Sequence, residues 1–225
     1  MTKLVARSKS KRLRVSVIVP CSHKHAKHLP ELLPQIAKQT RKPDEIIVAL
    51  SGCGPPDPMA GVRFVHSKVA RSAGYNRNAA SEGATGDVLI YQDADDLPHP
   101  QRVEVIAALF EKYEIEHLMH SFIYTRGSTW YIAGDSKRFP FPIVMPPTTI
   151  DEAASKSSYR THPAGNMTNG EVSILRSVWS AVKWPDHMGT AEDVGFNQKI
   201  FKQFKQTVTT PLPLIVYRHH LSSFG

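Results

Sequence analysis

Three carboxylates stand within four positions of one another in the segment YQDADDLPHP, residues 91–100. Asp93, Asp95 and Asp96 follow the apolar run VLIY (88–91), which is typical of a buried strand. Like charges this close repel one another unless water or a cation relieves the repulsion. Asp93 and Asp95 flank one residue, so both can face one ligand, and carboxylate oxygens suit Mg²⁺ or Mn²⁺. The segment therefore predicts a divalent-cation site, with a helix-capping cluster that binds no metal as the alternative.

The sequence lacks the motifs that hold phosphate through backbone amides. It contains no G-x-G-x-x-G after the first predicted strand and no G-x-x-x-x-G-K-[ST], and it has no G-x-S-x-G nucleophile motif. A cation held by clustered carboxylates can neutralise a diphosphate instead, because Mg²⁺ and Mn²⁺ bridge its oxygens.

Short β-branched apolar runs alternate with helical patterns in the first half of the chain, which predicts parallel strands in a doubly wound α/β sheet. The runs are VSVIVP (15–20), EIIVAL (45–50), VRFV (62–65) and VLIY (88–91). Apolar residues recur at helical spacing over 29–37, and again over 103–110 in a helix expected to begin near Pro98 with Asp96 as its N-cap. Ligands of such sheets bind beyond the carboxyl ends of the strands, where the chain carries CSHKH, SGCG and DADD.

The second half is less regular. Residues 115–125 and 128–134 are expected to pair as a hairpin that adds antiparallel strands to one edge of the sheet. The proline-rich stretch that follows predicts a long surface loop over 135–170. The remaining predicted elements are a strand and helix over 171–182, a helix over 192–204 and a closing strand over 213–220.

Length and composition fit one domain, since 225 residues with 41% hydrophobic content can bury a sizeable core. The net charge of +8 is concentrated in residues 1–14, whose six basic and no acidic side chains leave only +2 for the rest. The sequence therefore predicts a flexible basic tail over 1–14 and a single catalytic domain over 15–225. The tail is either a solvated arm or a contact with an anionic membrane or polymer, and no specific nucleic-acid binding is expected.

The composition is typical of a cytoplasmic protein, with peripheral membrane contact as an open alternative. No segment approaches the ~18 consecutive apolar residues of a membrane span, and the N-terminus lacks the apolar core of a secretory signal. Cys21 and Cys53 fit neither a disulfide framework nor a zinc site and are expected to be reduced thiols.

Five segments, in this order, resemble family 2 glycosyltransferases, which have the GT-A fold. They are VSVIVP, QTRKPDEIIVALSG, RSAGYNRNAASEGATGDVLIYQDADD, VKWPDHMGTAEDVGFNQKI and YRHHLSS, and the resemblance covers residues 14–223. It implies a mostly parallel, doubly wound central sheet with a small antiparallel extension. Residues 15–97 would form the nucleotide-binding half and residues 98–225 the acceptor-binding half.

The same resemblance implies the donor and metal contacts. Asp93 would contact the donor ribose or its ion, and Asp95 would ligate Mn²⁺ or Mg²⁺. A late Arg-x-His element would make His220 a further metal ligand or diphosphate contact, although a histidine on a closing strand is more often structural, and His219 is the weaker candidate. The implied donor-binding residues are Pro20, Ser22, Ser51, Arg71, Asn78, Asp93 and Ala94, with a solvated surface charge as the alternative for Arg71.

Glu192 and Asp193 form the second implied site. The resemblance makes Asp193 the general base and Glu192 a residue that orients acceptor or base, whereas the alternative is an acidic pair favoured by the helix dipole. An unperturbed Asp is a weak base, so its pKa must be raised or its action concerted with bond breaking.

Aromatic and histidine residues complete the candidates. Trp184 and Asp186 are the implied acceptor contacts, with Trp184 as a platform for a sugar ring; Trp130 is a weaker candidate, and Trp179 is expected in the core. One of His23, His25 and His28 is expected to line the nucleotide pocket, with the others solvated.

The implied activity is inverting, metal-dependent transfer of a sugar from a nucleotide-diphosphate sugar to a hydroxyl of a glycan or glycoconjugate. A UDP-sugar is slightly favoured, although Ser51-Gly52-Cys53 stands where many members carry an Asp that recognises uracil. The alternatives are a non-catalytic nucleotide- or polyanion-binding module and a nucleotidyltransferase on a similar sheet. The missing glycine-rich phosphate loop and the Glu-Asp helix count against the last.

Overall fold

A mixed sheet carries the apolar runs of the chain, and helices cover both of its faces. The structure is a computed structural model that describes residues 3–54, 57–126, 129–132, 138–139, 147–160, 171–186 and 192–218. The strands are β1 (Val15–Ser22), β2 (Glu45–Ser51), β3 (Val62–Ser67), β4 (Val88–Tyr91), β5 (Leu97–Pro98), β6 (His117–Arg126), β7 (Thr129–Ile132), β8 (Arg138–Phe139), β9 (Ser158–Tyr159), β10 (Val172–Leu175) and β11 (Thr207–Tyr217). The helices are α1 (Leu29–Ala37), α2 (Ala73–Glu82), α3 (Arg102–Lys112), α4 (Ile150–Lys156), α5 (Arg176–Ala181) and α6 (Glu192–Gln203).

The described strands form one sheet in the order β3-β2-β1-β4-β10-β6-β11-β5. The first four pair in parallel, and β6 pairs in parallel with β11, whereas β10, β5, β7, β8 and β9 pair antiparallel. This confirms the predicted α/β class and the mostly parallel sheet with an antiparallel part. Within the described residues, no helix is both long and apolar enough to cross a bilayer.

Helices on both faces explain why the parallel strands are continuously apolar. Along β1, Val17 and Val19 pack with residues of α1 and α3 on one face, while Ile18 packs with residues of α5 and α6 on the other. Apolar spacing predicted α1 and α3, and helices were also predicted where α5 and α6 lie, whereas α2 was not predicted. Cys21 and Cys53 are free thiols, as expected.

The hairpin of β6 and β7 is confirmed, but its place at a sheet edge is wrong. β6 lies between β10 and β11, and β7 pairs with the last part of β6. The predicted loop over 135–170 is also partly wrong. Thr149 accepts a hydrogen bond from Glu152 N at 3.1 Å and so caps α4, and β9 pairs with β11. Residues 135–137, 140–146 and 161–170 of that stretch lie outside the described residues.

The helix predicted to begin near Pro98 begins instead at Arg102, so the prediction that Asp96 caps it is wrong. Leu97 and Pro98 form β5 because they pair with Val216 and Ile215 of β11. The closing strand is likewise longer than predicted, since it begins at Thr207.

The N-terminal segment is packed against α3, which corrects the prediction of a flexible tail. Arg7 Nε donates to the carbonyls of Phe110 and Tyr113 at 2.8 and 2.9 Å, and Leu13 N donates to Glu111 Oε1 at 2.8 Å. Arg7 thereby satisfies carbonyls at the end of α3 that have no partner within the helix. The division between donor and acceptor halves at residue 97 stays a prediction, and both halves contribute strands to one sheet.

Replacing Gly74 in α2 with alanine is expected to destabilise the fold, because the added Cβ would lie 1.8 Å from the backbone oxygen of Pro185. A backbone oxygen cannot swing aside as a side chain can, so we expect a loss of about 1–3 kcal/mol or more in the free energy of unfolding, measured by denaturant titration. Alanine is the better helix former by ~1 kcal/mol, so a loss cannot come from propensity.

Gly54→Ala is the control, since no described atom lies within 4 Å of the Cβ it would add. Equal stability of Gly74→Ala and Gly54→Ala would contradict the close approach.

Candidate active site

The carboxyl ends of β1, β2 and β4 meet at one edge of the sheet. Ser22 pairs with Ser51 at the ends of β1 and β2. Just beyond β4, Gln92 N donates to the carbonyl of Ile18 at 2.9 Å. The acidic segment therefore lies beside the ends of the two neighbouring strands, as the strand-end rule predicts.

Buried side chains fix the ends of β1 and β2. The Ser51 hydroxyl accepts hydrogen bonds from Asn76 Nδ2 at 2.9 Å and from Arg71 N at 3.3 Å. Ser51 and Pro20 are buried, so a contact of these two side chains with a donor does not fit the structure. Ser22 is half-buried and the Arg71 side chain is exposed, which leaves both available.

Helix α2 begins where the Ser72 hydroxyl accepts a hydrogen bond from Tyr75 N at 2.9 Å. The same hydroxyl donates to Asp186 Oδ1 at 2.9 Å, and Asp186 is exposed. The cap therefore ties the start of α2 to the segment in which acceptor contacts were predicted.

Asn78 and Trp184 are structural residues, which corrects the predictions of a donor contact and a sugar platform. Asn78 Nδ2 donates to the Trp184 carbonyl at 2.9 Å, and Asn78 Oδ1 accepts from Trp184 N at 3.0 Å and from Trp179 Nε1 at 3.2 Å. Trp184 is 2% exposed and stacks on Phe196 with 3.6 Å between ring centroids, so neither face is open to a sugar. Trp179 lies in the core as expected, and the Trp130 side chain lies outside what the structure describes.

Arg77 joins the two predicted acidic sites. Its guanidinium lies 2.7 Å from Asp93 Oδ1 and 3.3 Å from Glu192 Oε1, and its side chain is 2% exposed. The start of α6 is therefore held next to the segment that follows β4. Arg77 was not among the site residues predicted from the sequence.

Asp95 and Asp93 have the same exposed fraction of side chain, 21%, but differ in their partners. The Oδ2 of Asp95 lies 4.0 Å from Nε2 of His25, so one of the early histidines lies beside the acidic segment, and its place in a nucleotide pocket stays a prediction. Among the described residues, no arginine or lysine forms an ion pair with the Asp95 carboxylate. Ala94 between the two acids is buried, so its side chain does not contact a donor.

Asp96 faces inward, and Arg218 holds its segment. Asp96 Oδ1 accepts from Arg218 N at 2.9 Å, Arg218 Nε donates to the Asp95 carbonyl, and Arg218 Nη1 lies 2.7 Å from Glu31 Oε2. Burial raises the pKa of Asp96 well above its ordinary value, and the neighbouring Asp93 and Asp95 raise it further. Residues 219–225, which include His219 and His220, lie outside the described residues and follow directly on Arg218.

The buried guanidinium of Arg102 holds the residues that lead into the acidic segment. Arg102 is 1% exposed, and it donates to the carbonyl of Tyr91 at 2.8 Å, to Gln92 Oε1 at 3.1 Å and to His120 Nε2 at 3.0 Å. Burial lowers the pKa of Arg102 to about 9, against the opposing effect of nearby carboxylates. Neither Arg102 nor His120 carried a sequence signal, because their hydrogen-bond partners come from other parts of the chain.

The environment of Asp193 shifts its pKa in the direction that the predicted role of general base requires. Burial raises its pKa, Glu192 raises it further, and a hydrogen bond from Val194 N to Asp193 Oδ1 at 2.7 Å acts in the opposite direction. The acidic pair at the start of α6 is thus more than a helix-dipole contact, since Glu192 pairs with Arg77.

The carboxylate chemistry fits a hard divalent cation at Asp95, although no group of three potential ligands occurs among the described residues. Asp95 and His25 are the two described side chains whose ligand atoms approach one another at this point. The further ligand predicted by resemblance, His220, is outside the described residues.

Known structures share this arrangement of the sheet. The S. aureus TarS fragment 1–349 in complex with UDP has a TM-score of 0.66 and 16% identity, over 94% of this chain and 62% of that one. Its complex with UDP-GlcNAc gives 0.68 and 15%, over 93% and 60%. The mannosyltransferase PcManGT from Pyrobaculum calidifontis, in complex with GDP-Man and Mn²⁺, gives 0.65 and 20%, over 98% and 61%. The fold is therefore that of the GT-A glycosyltransferases, and the chain spans about three fifths of the length of these structures.

Sequence comparison gives the family. The model described as Glycosyl transferase family 2 matches residues 16–179, and the chain belongs to this family. A search of curated proteins finds no match. The matched range contains Arg77 and the acidic segment after β4, whereas α6 lies beyond it.

In the absence of metal, the free energy of unfolding of Asp96→Asn is expected to rise relative to that of the unsubstituted protein as the pH increases from about 4 to 7. Because the pKa of Asp96 is raised in the folded state, folded Asp96 binds its proton more tightly than unfolded Asp96, so its contribution to stability falls as the pH rises. An amide has no such dependence. Denaturant unfolding with a chelator at several pH values measures the difference.

Asp151→Asn serves as the control, since the Asp151 side chain is 93% exposed. A stability difference for Asp96→Asn that does not change with pH would show that its carboxyl is not protonated in the folded state.

Proposed function

We propose that the chain is an inverting glycosyltransferase that moves a sugar from a nucleotide-diphosphate sugar to a hydroxyl of a glycan or glycoconjugate. One observation carries the proposal: through Arg77, the carboxylate segment after β4 and the acidic start of α6 belong to one site. A cation-binding carboxylate and a carboxylate of raised pKa are the two groups that direct displacement requires.

The donor would bind at the carboxyl ends of β1, β2 and β4. Ser22 and Arg71 are the donor contacts that remain available, with Arg71 able to pair with phosphate. Asp93 pairs with Arg77 through Oδ1, and its other oxygen would be directed to the ribose or the ion. The related structures bind UDP, UDP-GlcNAc and GDP-Man, so they do not distinguish a uridine from a guanosine donor for this chain.

Asp95 would hold Mn²⁺ or Mg²⁺, with His220 as a second ligand. Bound there, the cation would offset the diphosphate charge and stabilise the leaving nucleoside diphosphate. The presence of Mn²⁺ in the PcManGT structure is a property of that protein and is consistent with the choice of metal proposed for this one.

Asp193 would accept the proton of the attacking hydroxyl. The hydroxyl oxygen forms a bond to the anomeric carbon while the bond from that carbon to the diphosphate oxygen breaks, and the diphosphate keeps the electron pair. Since attack and departure occur on opposite faces, the configuration inverts. Glu192 and Asp186 would orient the acceptor, whose identity stays open.

Peripheral contact with an anionic surface is the further partner we propose. Lys9, Lys11, Arg12 and Arg14 are exposed on a segment that Arg7 and Leu13 hold against α3. Anchoring of this kind would present the charges from a fixed place and not from a free arm.

Asp95→Ala is expected to abolish Mn²⁺-dependent thermal stabilisation by nucleotide sugars. Stabilisation by a ligand at 100 times its Kd is worth about 2.7 kcal/mol, which is readily seen as a shift in Tm. UDP-GlcNAc and GDP-mannose are the first probes, each with Mn²⁺ and with a chelator.

Asp151→Ala, on α4 and with a side chain that is 93% exposed, should keep the response. Full retention of the Mn²⁺-dependent shift in Asp95→Ala would remove Asp95 as a ligand, and no shift with any nucleotide sugar in the unsubstituted protein would refute the proposed function.

Asp193→Asn is expected to keep donor binding and to lose transfer by about 10²- to 10⁴-fold, because the amide cannot accept a proton. Release of nucleoside diphosphate from the donor, with water as acceptor, measures turnover without knowledge of the natural acceptor. The Kd for donor and Mn²⁺, from titration calorimetry, shows whether the fold and donor site survive. Unchanged turnover would rule out Asp193 as the base.

A further inference from the structure

Arg77 is placed to act on both acidic pairs of the site. It projects from the middle of α2, and its two terminal nitrogens reach carboxylates that belong to different elements, Asp93 after β4 and Glu192 at the start of α6. Its guanidinium carbon also lies 4.8 Å from the centroid of the Trp184 ring. With 2% of its side chain exposed, Arg77 is part of the core and not a surface charge.

In each acidic pair, one carboxylate therefore forms an ion pair with Arg77. In the first pair Asp93 is engaged and Asp95 is not; in the second Glu192 is engaged, while Asp193 has no ion pair among the described residues. Each engaged carboxylate accepts a charge-assisted hydrogen bond from Arg77, at 2.7 Å for Asp93 and at 3.3 Å for Glu192, which restricts its direction. The two others are left with oxygens that can meet a ligand or a proton.

The chemistry of the guanidinium explains why the residue is an arginine. Its planar group presents several N–H donors in fixed directions, so two nitrogens can serve two carboxylates at once. A lysine at the same place would offer a compact point charge and could not hold both geometries. Burial strengthens the effect, because an unpaired carboxylate in this environment would be strongly unfavourable.

Aromatic packing connects the same arginine to the body of α6. Trp184, which lies under the guanidinium, stacks on Phe196 one turn after the acidic pair, and Tyr91 at the end of β4 meets Trp184 edge-on at 4.9 Å. One cation and one aromatic stack therefore both contribute to the position of α6 relative to the end of β4.

We propose that Arg77 is a positioning residue that selects which carboxylate of each pair reacts, holding Asp93 and Glu192 so that Asp95 is left for the cation and Asp193 for the proton. This inference rests on the proposed function. It also makes Arg77 the link between the donor end of the sheet and the helix that carries the base.

Arg77→Lys tests the inference, with Arg63→Lys as the matched control. Arg63 pairs with Glu45 at 3.3 Å on the exposed edge strand β3 and is 46% exposed. In Arg77→Lys we expect kcat for nucleoside diphosphate release from UDP-GlcNAc or GDP-mannose to fall about 10²-fold, since small misplacement of a reacting group has this effect. The Kd for UDP or GDP with Mn²⁺ should stay within about threefold of the unsubstituted value, because Asp95 is unchanged. Arg63→Lys should change neither quantity.

A double-mutant cycle with Glu192→Gln shows whether Arg77 acts through Glu192. If it does, the losses in kcat from Arg77→Lys and Glu192→Gln are not additive, and amide exchange over residues 192–196 rises in both variants. Full additivity, an unchanged kcat in Arg77→Lys, or equal loss of nucleotide affinity and kcat would each overturn the inference.

Should Arg77→Lys not fold, Glu192→Gln alone decides the matter, since it keeps the Arg77–Asp93 pair. Faster exchange at the start of α6, with nucleotide affinity intact, supports the inference, and unchanged exchange contradicts it. Failure of the proposed function is a separate result: the unsubstituted protein would then neither bind a nucleotide with Mn²⁺ nor release one from a nucleotide sugar, while the exchange measurement would still report on the contact between Arg77 and Glu192.

Discussion

Charge compensation by arginines with little exposed surface is the constraint on which this site depends. Carboxylates gather around the ends of β4 and α6: Asp93, Asp95, Asp96, Glu171, Glu192 and Asp193. Arg77 pairs with two of them, Arg102 supports the backbone that leads into the acidic segment, and Arg218 ties that segment to the end of β11. Because buried acids without partners are strongly unfavourable, the arginines determine the local structure. Even with a proton on Asp96, the other acids outnumber these arginines, and their negative charge is what would attract a cation.

The fold could be predicted wherever a segment had one dominant physical signal. Strands buried on both faces must be apolar, and α1 and α3 each bury an apolar stripe, so periodicity revealed them. Helix α6 was recognised by the acids in its first turn and the lysines towards its end. Helix α2 has no such stripe: its sequence AGYNRNAASE packs through glycine, alanine, asparagine and arginine, and only the cap at Ser72 marks its start. Leu97–Pro98 was misread because its pairing partner, β11, lies more than a hundred residues later in the chain.

The site was only partly predictable, for a related reason. Acids clustered after an apolar run identified the Asp93–Asp96 segment and the pair that opens α6 without reference to tertiary structure. Residues that hold those acids in place, such as Arg77 and Arg102, carry no local pattern, because their partners come from distant elements. Conversely, Trp184 and Asn78 were assigned to ligands although their side chains are used within the fold. The exposed fraction of a side chain decides whether it can contact a ligand or packs within the fold, and the sequence does not reveal that fraction.

The insertion of β10 between β4 and β6 affects how the chain folds during translation. On the ribosome, β1, β2, β3 and β4 emerge long before Val172–Leu175, and until then one edge of β4 offers unpaired amides and carbonyls beside the apolar residues of Val88–Tyr91. An exposed edge of this kind attracts other strands, including those of neighbouring nascent chains. Translation that stops before β10 would therefore leave a fragment prone to aggregate, and prompt synthesis of the second half is what protects the first.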